Sequence, residues 1–181
     1  IAMRQEDLDR FAPMQTRIDD ALLSGDVSFV FDVYKVFSER YADRIAFATN
    51  LLETANFDFS VKEDYRWLRK DAPWPADVAE QDEIWRRRMK NELLSRIAAR
   101  DFAEERKKAE VAAATNAPPS IDMSPDAVVR RRYKQYLDIV TDADADYVIE
   151  RFLCSFAEVY DPHTAYMPPS RAEDFNIEMN L

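Results

Sequence analysis

The chain has 181 residues, of which 47% are hydrophobic, and its net charge is −10. A chain of this length buries roughly 70% of its unfolded surface on folding, and its apolar content argues against disorder. The negative charge argues against a nucleic-acid surface as the main function, since phosphate binding needs a positive field. No apolar run approaches the roughly 18 residues that a membrane-spanning helix requires.

The scarcity of glycine points to the fold class. Gly25 is the only glycine, whereas phosphate-binding loops and glycine-flanked nucleophile elbows need several. Tight hairpins also favour glycine, while the abundant Ala, Leu, Glu, Arg and Lys favour helices. The composition therefore predicts an all-α, multi-helix bundle with long helices. At most a short extended segment is expected near residues 57–61, where apolar and polar residues alternate.

Two helical patterns precede that segment. The first covers residues 5–24, is bent or restarted by Pro13, and ends at Gly25, a residue suited to a left-handed cap. From residue 26 to residue 54 an apolar side chain recurs every three or four positions, which predicts one long helix with a buried stripe. Additional apolar residues widen the stripe in its first half, so that half is expected to be buried nearly all round.

The region after the long helix combines a capping signal with a helix stop. Ser60 and Glu63 have the spacing of a capping box, which predicts a short helix through Leu68. The Ala-Pro-Trp-Pro run over residues 72–75 then ends any helix. Four more helices are predicted, over residues 77–102 with a solvated charged extension through 114, over 128–140, over 148–160, and from a capping box that begins at Ser170.

We divide the chain into three parts on these patterns. Residues 1–114 form an N-terminal helical part, and residues 115–123 are a proline-containing linker. Residues 124–181 form a helical hairpin and a lead-in to further chain, because the short spacing between helices 128–140 and 148–160 favours antiparallel neighbours. The first and third parts could also form one domain.

Cys154 and His163 raise the possibility of thiol or triad chemistry, with Asp161 placed to orient the histidine. Cys154 lies in an apolar helical segment, where a free cysteine usually acts as a small hydrophobe, and no glycine or helix N-terminus lies nearby to activate its thiol. A triad also needs an exposed nucleophile and an oxyanion hole. The pattern favours a buried structural cysteine and a turn at residues 161–164, with direct catalysis as the alternative. No catalytic, cofactor-binding or metal-binding residue is predicted, since no HExxH or CxxC spacing exists.

Two basic runs and one tryptophan are candidate contact sites. Arg86–Arg88 with Lys90, and Arg130–Arg132 with Lys134, fan around their helices and favour solvated faces paired with carboxylates. A partner-docking patch is the alternative. Trp74, between two prolines, is expected in the core, and a partner anchor is the alternative.

Six segments of the chain form a characteristic ordered set. They are Phe57-Asp-Phe-Ser60, Lys70-Asp-Ala-Pro-Trp-Pro75, Glu83 to Leu94, Arg131-Arg-Tyr133, Asp161-Pro-His-Thr-Ala-Tyr166 and Phe175-Asn-Ile-Glu-Met-Asn-Leu181. Taken together and in this order, they resemble the N-terminal domain of tail-specific (carboxyl-terminal processing) serine proteases. The resemblance extends from about Gly25 to Leu181. It is weak over Ala109–Ala114, and Ala165 and Met167 depart from the family pattern.

The resemblance implies a noncatalytic scaffold or regulatory domain of a periplasmic serine endopeptidase. In such proteases a PDZ domain recognises the apolar C-terminal tail of the substrate and a serine–lysine dyad cuts it, and both would follow Leu181. The implied partners are those PDZ and protease domains, protein substrates with apolar C-termini, and by analogy a helical-repeat lipoprotein adaptor, with no cofactor. Two rival functions are a free-standing helical interaction module and a small hydrolase with a rapidly reacting Cys154.

Overall fold

The computed structural model describes residues 2–111 and 123–179. Within these ranges the chain is all-helical, with seven α-helices, a short 3-10 helix at Ala12–Met14 and no strand. The helices are α1 (Gln5–Phe11), α2 (Ile18–Ser24), α3 (Ser28–Thr54), α4 (Val78–Val111), α5 (Pro125–Thr141), α6 (Ala145–Tyr160) and α7 (Pro169–Met179). The predicted all-α fold with long helices is confirmed. The predicted linker, residues 115–123, lies outside the described ranges except for its last residue.

The N-terminal helices follow their sequence signals. Pro13 lies in the 3-10 helix that separates α1 from α2, so the predicted interruption is confirmed. Gly25 ends α2 with φ at 75°, in the left-handed region that side chains disfavour. Its N–H donates to Leu22 and the next N–H donates to Ala21, which satisfies the last carbonyls of the helix.

The hydrophobic core lies where α3, α4 and α5 meet. Its buried residues are Ile45, Ala48, Leu52, Trp85, Met89, Val129 and Tyr133. The predicted stripe of α3 therefore supplies the core through its second half. Since α5 comes from the third predicted part of the chain, both helical parts contribute to one core, and their division into 1–114 and 124–181 stays a prediction.

The first half of α3 is less buried than the sequence indicates. Val30 and Val36 are buried, but the Phe31 ring is 38% exposed. In this half α6 covers one side of α3, where the rings of Phe29 and Phe152 meet edge to face at 5.2 Å. The expected burial on nearly all sides is therefore wrong, because Phe31, Asp32 and Lys35 leave one side of this half exposed.

Helices α5 and α6 pack on α3 rather than closely on each other. Arg130 in the first turns of α5 pairs with Glu53 at 2.8 Å, and Val140 near its end accepts from the Tyr34 hydroxyl at 2.9 Å. Phe152 of α6 contacts Phe29, which lies nearer the start of α3 than Tyr34 does. The predicted antiparallel pairing of the two helices is corrected, because both direct their apolar faces at the same long helix.

The predicted short helix from Ser60 to Leu68 is absent, and residues 62–69 have no regular structure. The Asp58 carboxylate accepts from the N–H of Ser60 at 2.9 Å and makes a local turn instead. Glu63 does not cap a helix, because Arg86 and Lys90 of α4 bind its carboxylate. A capping-box spacing is decisive only where no distant cation competes for the glutamate.

The predicted charged extension of α4 agrees with the structure where its side chains are described, and the last predicted helix begins one residue earlier than expected. Residues 104–106 of the predicted extension are exposed, as expected, and the side chains of residues 107–114 lie outside the described part of the chain. Helix α7 begins at Pro169, one residue before the predicted start. Proline at this position is favourable, because the first helical N–H has no partner within the helix.

Polar contacts hold the N-terminal segment against the body of the fold. The Ala2 carbonyl accepts from the fully buried Gln81 side chain at 2.6 Å, and the N–H of Gln5 donates to Pro75 at 3.0 Å. Asp7 accepts from Arg40 at 2.9 Å and from the N–H of Arg4 at 3.0 Å. Burial raises the pKa of Asp7, but these hydrogen bonds outweigh it and hold the pKa below its ordinary value.

The core geometry leads to a stability prediction. Trp85 is 1% exposed whereas Trp67 is 78% exposed. Trp85→Ala is expected to lower the free energy of unfolding by about 3–5 kcal/mol, because it removes a buried aromatic side chain and leaves a cavity. Trp67→Ala is the matched control and should change it by less than about 0.5 kcal/mol. Urea unfolding followed by circular dichroism measures both, and equal effects would contradict the core assignment.

Candidate functional site

Cys154 lies on α6 and is partly exposed. Its thiol donates to the Tyr166 carbonyl at 3.4 Å. The expected full burial is therefore corrected: α6 lies at the edge of the fold, and the cysteine faces the irregular segment that follows the helix. No hydrogen bond or ion pair joins Cys154 to His163 in the described ranges, so the structure does not bring the two residues together as a nucleophile and its base.

His163 belongs to a turn that projects into solvent. The Asp161 carboxylate accepts from the N–H of His163 and from the Thr164 hydroxyl, both at 3.0 Å. These bonds, the first of them the largest contribution, lower the pKa of Asp161. The His163 side chain is 91% exposed. The predicted turn is confirmed.

The first basic run contacts carboxylates, as the sequence predicts for a paired face. Arg86 binds both Glu63 and Glu83, and Arg87 binds Glu83 at 2.7 Å. Lys90 is 8% exposed, binds Glu63 and also donates to the Val61 carbonyl at 3.0 Å. Lys90 therefore fastens the irregular segment before α4 onto the helix.

Arg88 of the same run points inward, which the sequence analysis did not anticipate. Its guanidinium lies 5.0 Å from the ring centroid of Trp85 and 5.5 Å from that of Tyr133. It also donates to Glu92 at 2.9 Å, and the Tyr133 hydroxyl donates to the same carboxylate at 2.7 Å. Burial raises the pKa of Tyr133 well above its ordinary value, so the hydroxyl keeps its proton and donates to Glu92. The spacing Trp85–Arg88–Glu92, one helical turn per step, could have shown this face.

The second basic run is divided between pairing and exposure. Arg130 binds Glu53 and Asp126, each at 2.8 Å, and Arg132 binds Glu92. Arg131 and Lys134 are exposed and make no ion pair within the described part of the chain. They are the members of this run that remain available to a partner.

Trp74 is 44% exposed, so its expected place in the core is corrected. The following Pro75 is buried instead, and its carbonyl accepts the N–H of Gln5. The proline-flanked segment is fixed by that main-chain bond, which leaves the indole ring at the surface.

An apolar groove opens between the N-terminal helices, α3 and α6. We call it the N-terminal groove, and its volume is about 530 Å³. Apolar side chains from α3 and α6, including Phe29, Val33, Phe37 and Phe152, line much of it. Its polar lining residues are Gln15, Tyr34, Arg151 and Ser155.

Exposed apolar side chains also concentrate near the end of the chain. Of the 19 large hydrophobic residues that are exposed in the described part of the chain, seven lie within residues 159–179, which we call the C-terminal apolar segment. They are Val159, Tyr160, Tyr166, Met167, Phe175, Ile177 and Met179. Helix α7 packs closely on no other described helix, and an ion pair from Arg171 to Glu150 at 2.8 Å connects it with α6.

Among the described residues, no three or more His, Cys, Asp or Glu side chains are grouped so that they could hold a metal ion. Nor do the helices in those ranges include one with the length and apolarity needed to cross a membrane.

Comparison with known proteins identifies the family. Residues 1–170 match the family described as the tail-specific protease N-terminal domain. The chain belongs to this family. A tail-specific protease of Haemophilus influenzae is 28% identical to it over 179 residues, which are 98% of this chain and 23% of that relative. The chain thus spans less than a quarter of the relative's length, and the resemblance seen in the sequence motifs is confirmed.

The Glu63 contacts predict a pH dependence of stability. Hydrogen bonds from Arg86 and then Lys90 lower the pKa of Glu63 from 4.5 to about 2. A lowered folded-state pKa stabilises the fold above the unfolded value and loses that effect as the pH falls through the folded one. Glu63→Gln should therefore lower the free energy of unfolding at neutral pH. Between pH 4.5 and pH 2 the variant should lose less stability than the parent chain, because it has no carboxylate at this position to protonate. Chemical unfolding across this range measures it, with the exposed Glu39→Gln as control. Parallel curves for Glu63→Gln and the parent would contradict the contacts.

Because no hydrogen bond or ion pair joins Cys154 to His163 in the described ranges, we expect that these two residues do not form a peptidase site. Incubated with a protein that ends in an apolar tail, the purified chain should leave it intact, since the described site residues do not assemble a nucleophile with a base. Mass spectrometry of the target before and after incubation measures this. Cleavage that disappears in both Cys154→Ala and His163→Ala would establish the hydrolase alternative.

Proposed function

We propose that this chain is a noncatalytic scaffold and regulatory domain of a periplasmic serine endopeptidase that selects protein substrates by their apolar C-terminal tails. The observation that carries the proposal is the family match over residues 1–170. In this proposal the PDZ domain and the serine–lysine dyad reside in the remainder of the full-length protein, and the helical domain holds them in position.

The C-terminal apolar segment is the surface that we assign to this scaffolding. The relative is more than four times as long as the match, and the matched family is an N-terminal domain, so its further chain follows this region. Helix α7 is the last described element, with Phe175 48% and Met179 71% exposed and one turn apart. Exposed apolar side chains at that spacing are typical of a helix that packs on a partner. The occupant that we assign is the part of the protease that directly follows α7.

A helical-repeat lipoprotein adaptor would bind elsewhere in this proposal. Arg131 and Lys134 are exposed cations without an ion-pair partner in the described ranges, and they border a groove between α3 and α5. On a chain with a net charge of −10, such a local cationic site favours an acidic partner surface. The second candidate function is a free-standing helical interaction module, for which the same exposed surfaces would serve unrelated partners.

Docking of α7 can be measured directly. The chain and the remainder of the full-length protein, produced separately, should associate in isothermal titration calorimetry. Phe175→Glu should weaken that association at least about tenfold, because it places a charge in an apolar contact. Leu23→Glu is the matched control, since Leu23 is 88% exposed and lies on α2. Equal effects of the two substitutions, or no association of the parent chain, would contradict the scaffold role. A reading frame that ends near Leu181 would favour the free-standing module.

A further inference from the structure

The N-terminal groove has the dimensions and lining of a ligand site. Its volume of about 530 Å³ lies within the range of about 300–1,000 Å³ that is typical of small-molecule sites. The floor is built from Phe29, Val33 and Phe37 of α3, with Phe152 of α6 against Phe29. Contact with apolar side chains of a ligand would remove this surface from water.

Two of the four polar residues that line the groove, Arg151 and Ser155, lie on α6, and the other two are Gln15 and Tyr34. The Tyr34 hydroxyl already donates to the Val140 carbonyl. Arg151 and Ser155 are exposed and occupy positions one turn apart, so they lie along the same edge of α6. This edge presents a guanidinium and a hydroxyl beside an otherwise apolar groove.

Arg151 is the only charged residue in the described lining of the groove. Its guanidinium lies 5.3 Å from the ring centroid of Tyr147, and within the described ranges it makes no ion pair with a carboxylate. The other arginines that face the body of the fold, such as Arg40 and Arg88, are paired with acids. The adjacent carboxylate, that of Glu150, attracts the guanidinium but forms its ion pair with Arg171. A guanidinium that is held by a ring and whose neighbouring acid is paired elsewhere is suited to bind a carboxylate from a ligand.

We propose that the N-terminal groove binds the apolar C-terminal tail of a protein substrate, with the tail's free carboxylate on Arg151 and Ser155. The inference rests on the proposed function, to which it adds a second place where the tail is recognised. The apolar floor matches apolar side chains, and the single cation matches the one charge that such a tail carries at its end. A rival occupant, an apolar helix of a partner protein, would offer no carboxylate to Arg151. A free C-terminal chain end therefore fits the groove better.

The test uses the 181-residue chain and a fluorescein-labelled peptide that ends in Val-Leu-Leu with a free carboxylate. Fluorescence anisotropy should show saturable binding, and the same peptide with a C-terminal amide should bind at least about tenfold more weakly. Arg151→Gln should reduce binding of the acid to the level of the amide and leave binding of the amide unchanged. Val33→Glu should abolish binding of both peptides. Arg100→Gln, on the exposed extension of α4, is the control and should change neither.

Several results would overturn the proposal. The first two are equal affinity for the acid and the amide peptide, and an equal loss of affinity in Arg151→Gln and Arg100→Gln. The other two are no binding of either peptide, and binding of a fatty acid such as laurate in place of the peptide. Circular dichroism of each variant separates a loss of binding from a loss of fold. Failure of peptide binding with intact docking of α7 removes only the groove assignment, whereas failure of docking with intact peptide binding removes the scaffold role.

Discussion

The packing of Trp85, Arg88 and Tyr133 around the Glu92 carboxylate determines how the three main helices meet. Arg88 and Glu92 are only partly exposed, with 32 and 17% of their side chains accessible, so the hydrogen bond between them replaces contacts with water. Here the aromatic faces flank the guanidinium, while Glu92 accepts from Arg88 and Tyr133 at 2.9 and 2.7 Å. Because Glu92 lies on α4 and Tyr133 on α5, this acceptor fixes the register of the two helices, and Trp85 holds both against the stripe of α3.

The remaining carboxylates and cations extend this arrangement outward. Glu63 joins the irregular segment to α4 through Arg86 and Lys90, and Asp7 joins the N-terminal helix to α3 through Arg40. Asp7 and Lys90 are buried, so the loss of either partner would leave a charge without its counter-ion away from water. These ion pairs hold two segments that lack long helices of their own. The N-terminal segment, which Asp7 connects to α3, forms a wall of the N-terminal groove.

Local signals in the sequence predicted the helices well and their partners less well. Pro13, Gly25 and the periodic stripe of α3 act within a few residues, so their consequences could be deduced directly. The helix expected from Ser60 was wrong because a distant arginine and lysine bind Glu63, and Trp74 was misplaced because a main-chain bond from Gln5 fixes Pro75 instead. Each of these outcomes depends on residues far away in the sequence. The groove was missed for the same reason, since three separated segments line it.

Helix α6 is common to both proposed surfaces, and this has a thermodynamic consequence. Arg151 and Phe152 line the groove, while the adjacent Glu150 pairs with Arg171 of α7 at 2.8 Å. A ligand can favour docking only to the extent that it binds the docked and undocked states with different affinities. If the groove and α7 are both used, any shift of α6 acts on the two sites, and the coupling between them must be reciprocal. If ligand binding in the groove strengthens the docking of α7 by some factor, docking of α7 must strengthen ligand binding by the same factor. The groove would then bind its ligand more tightly in the full-length protein than in the separate domain.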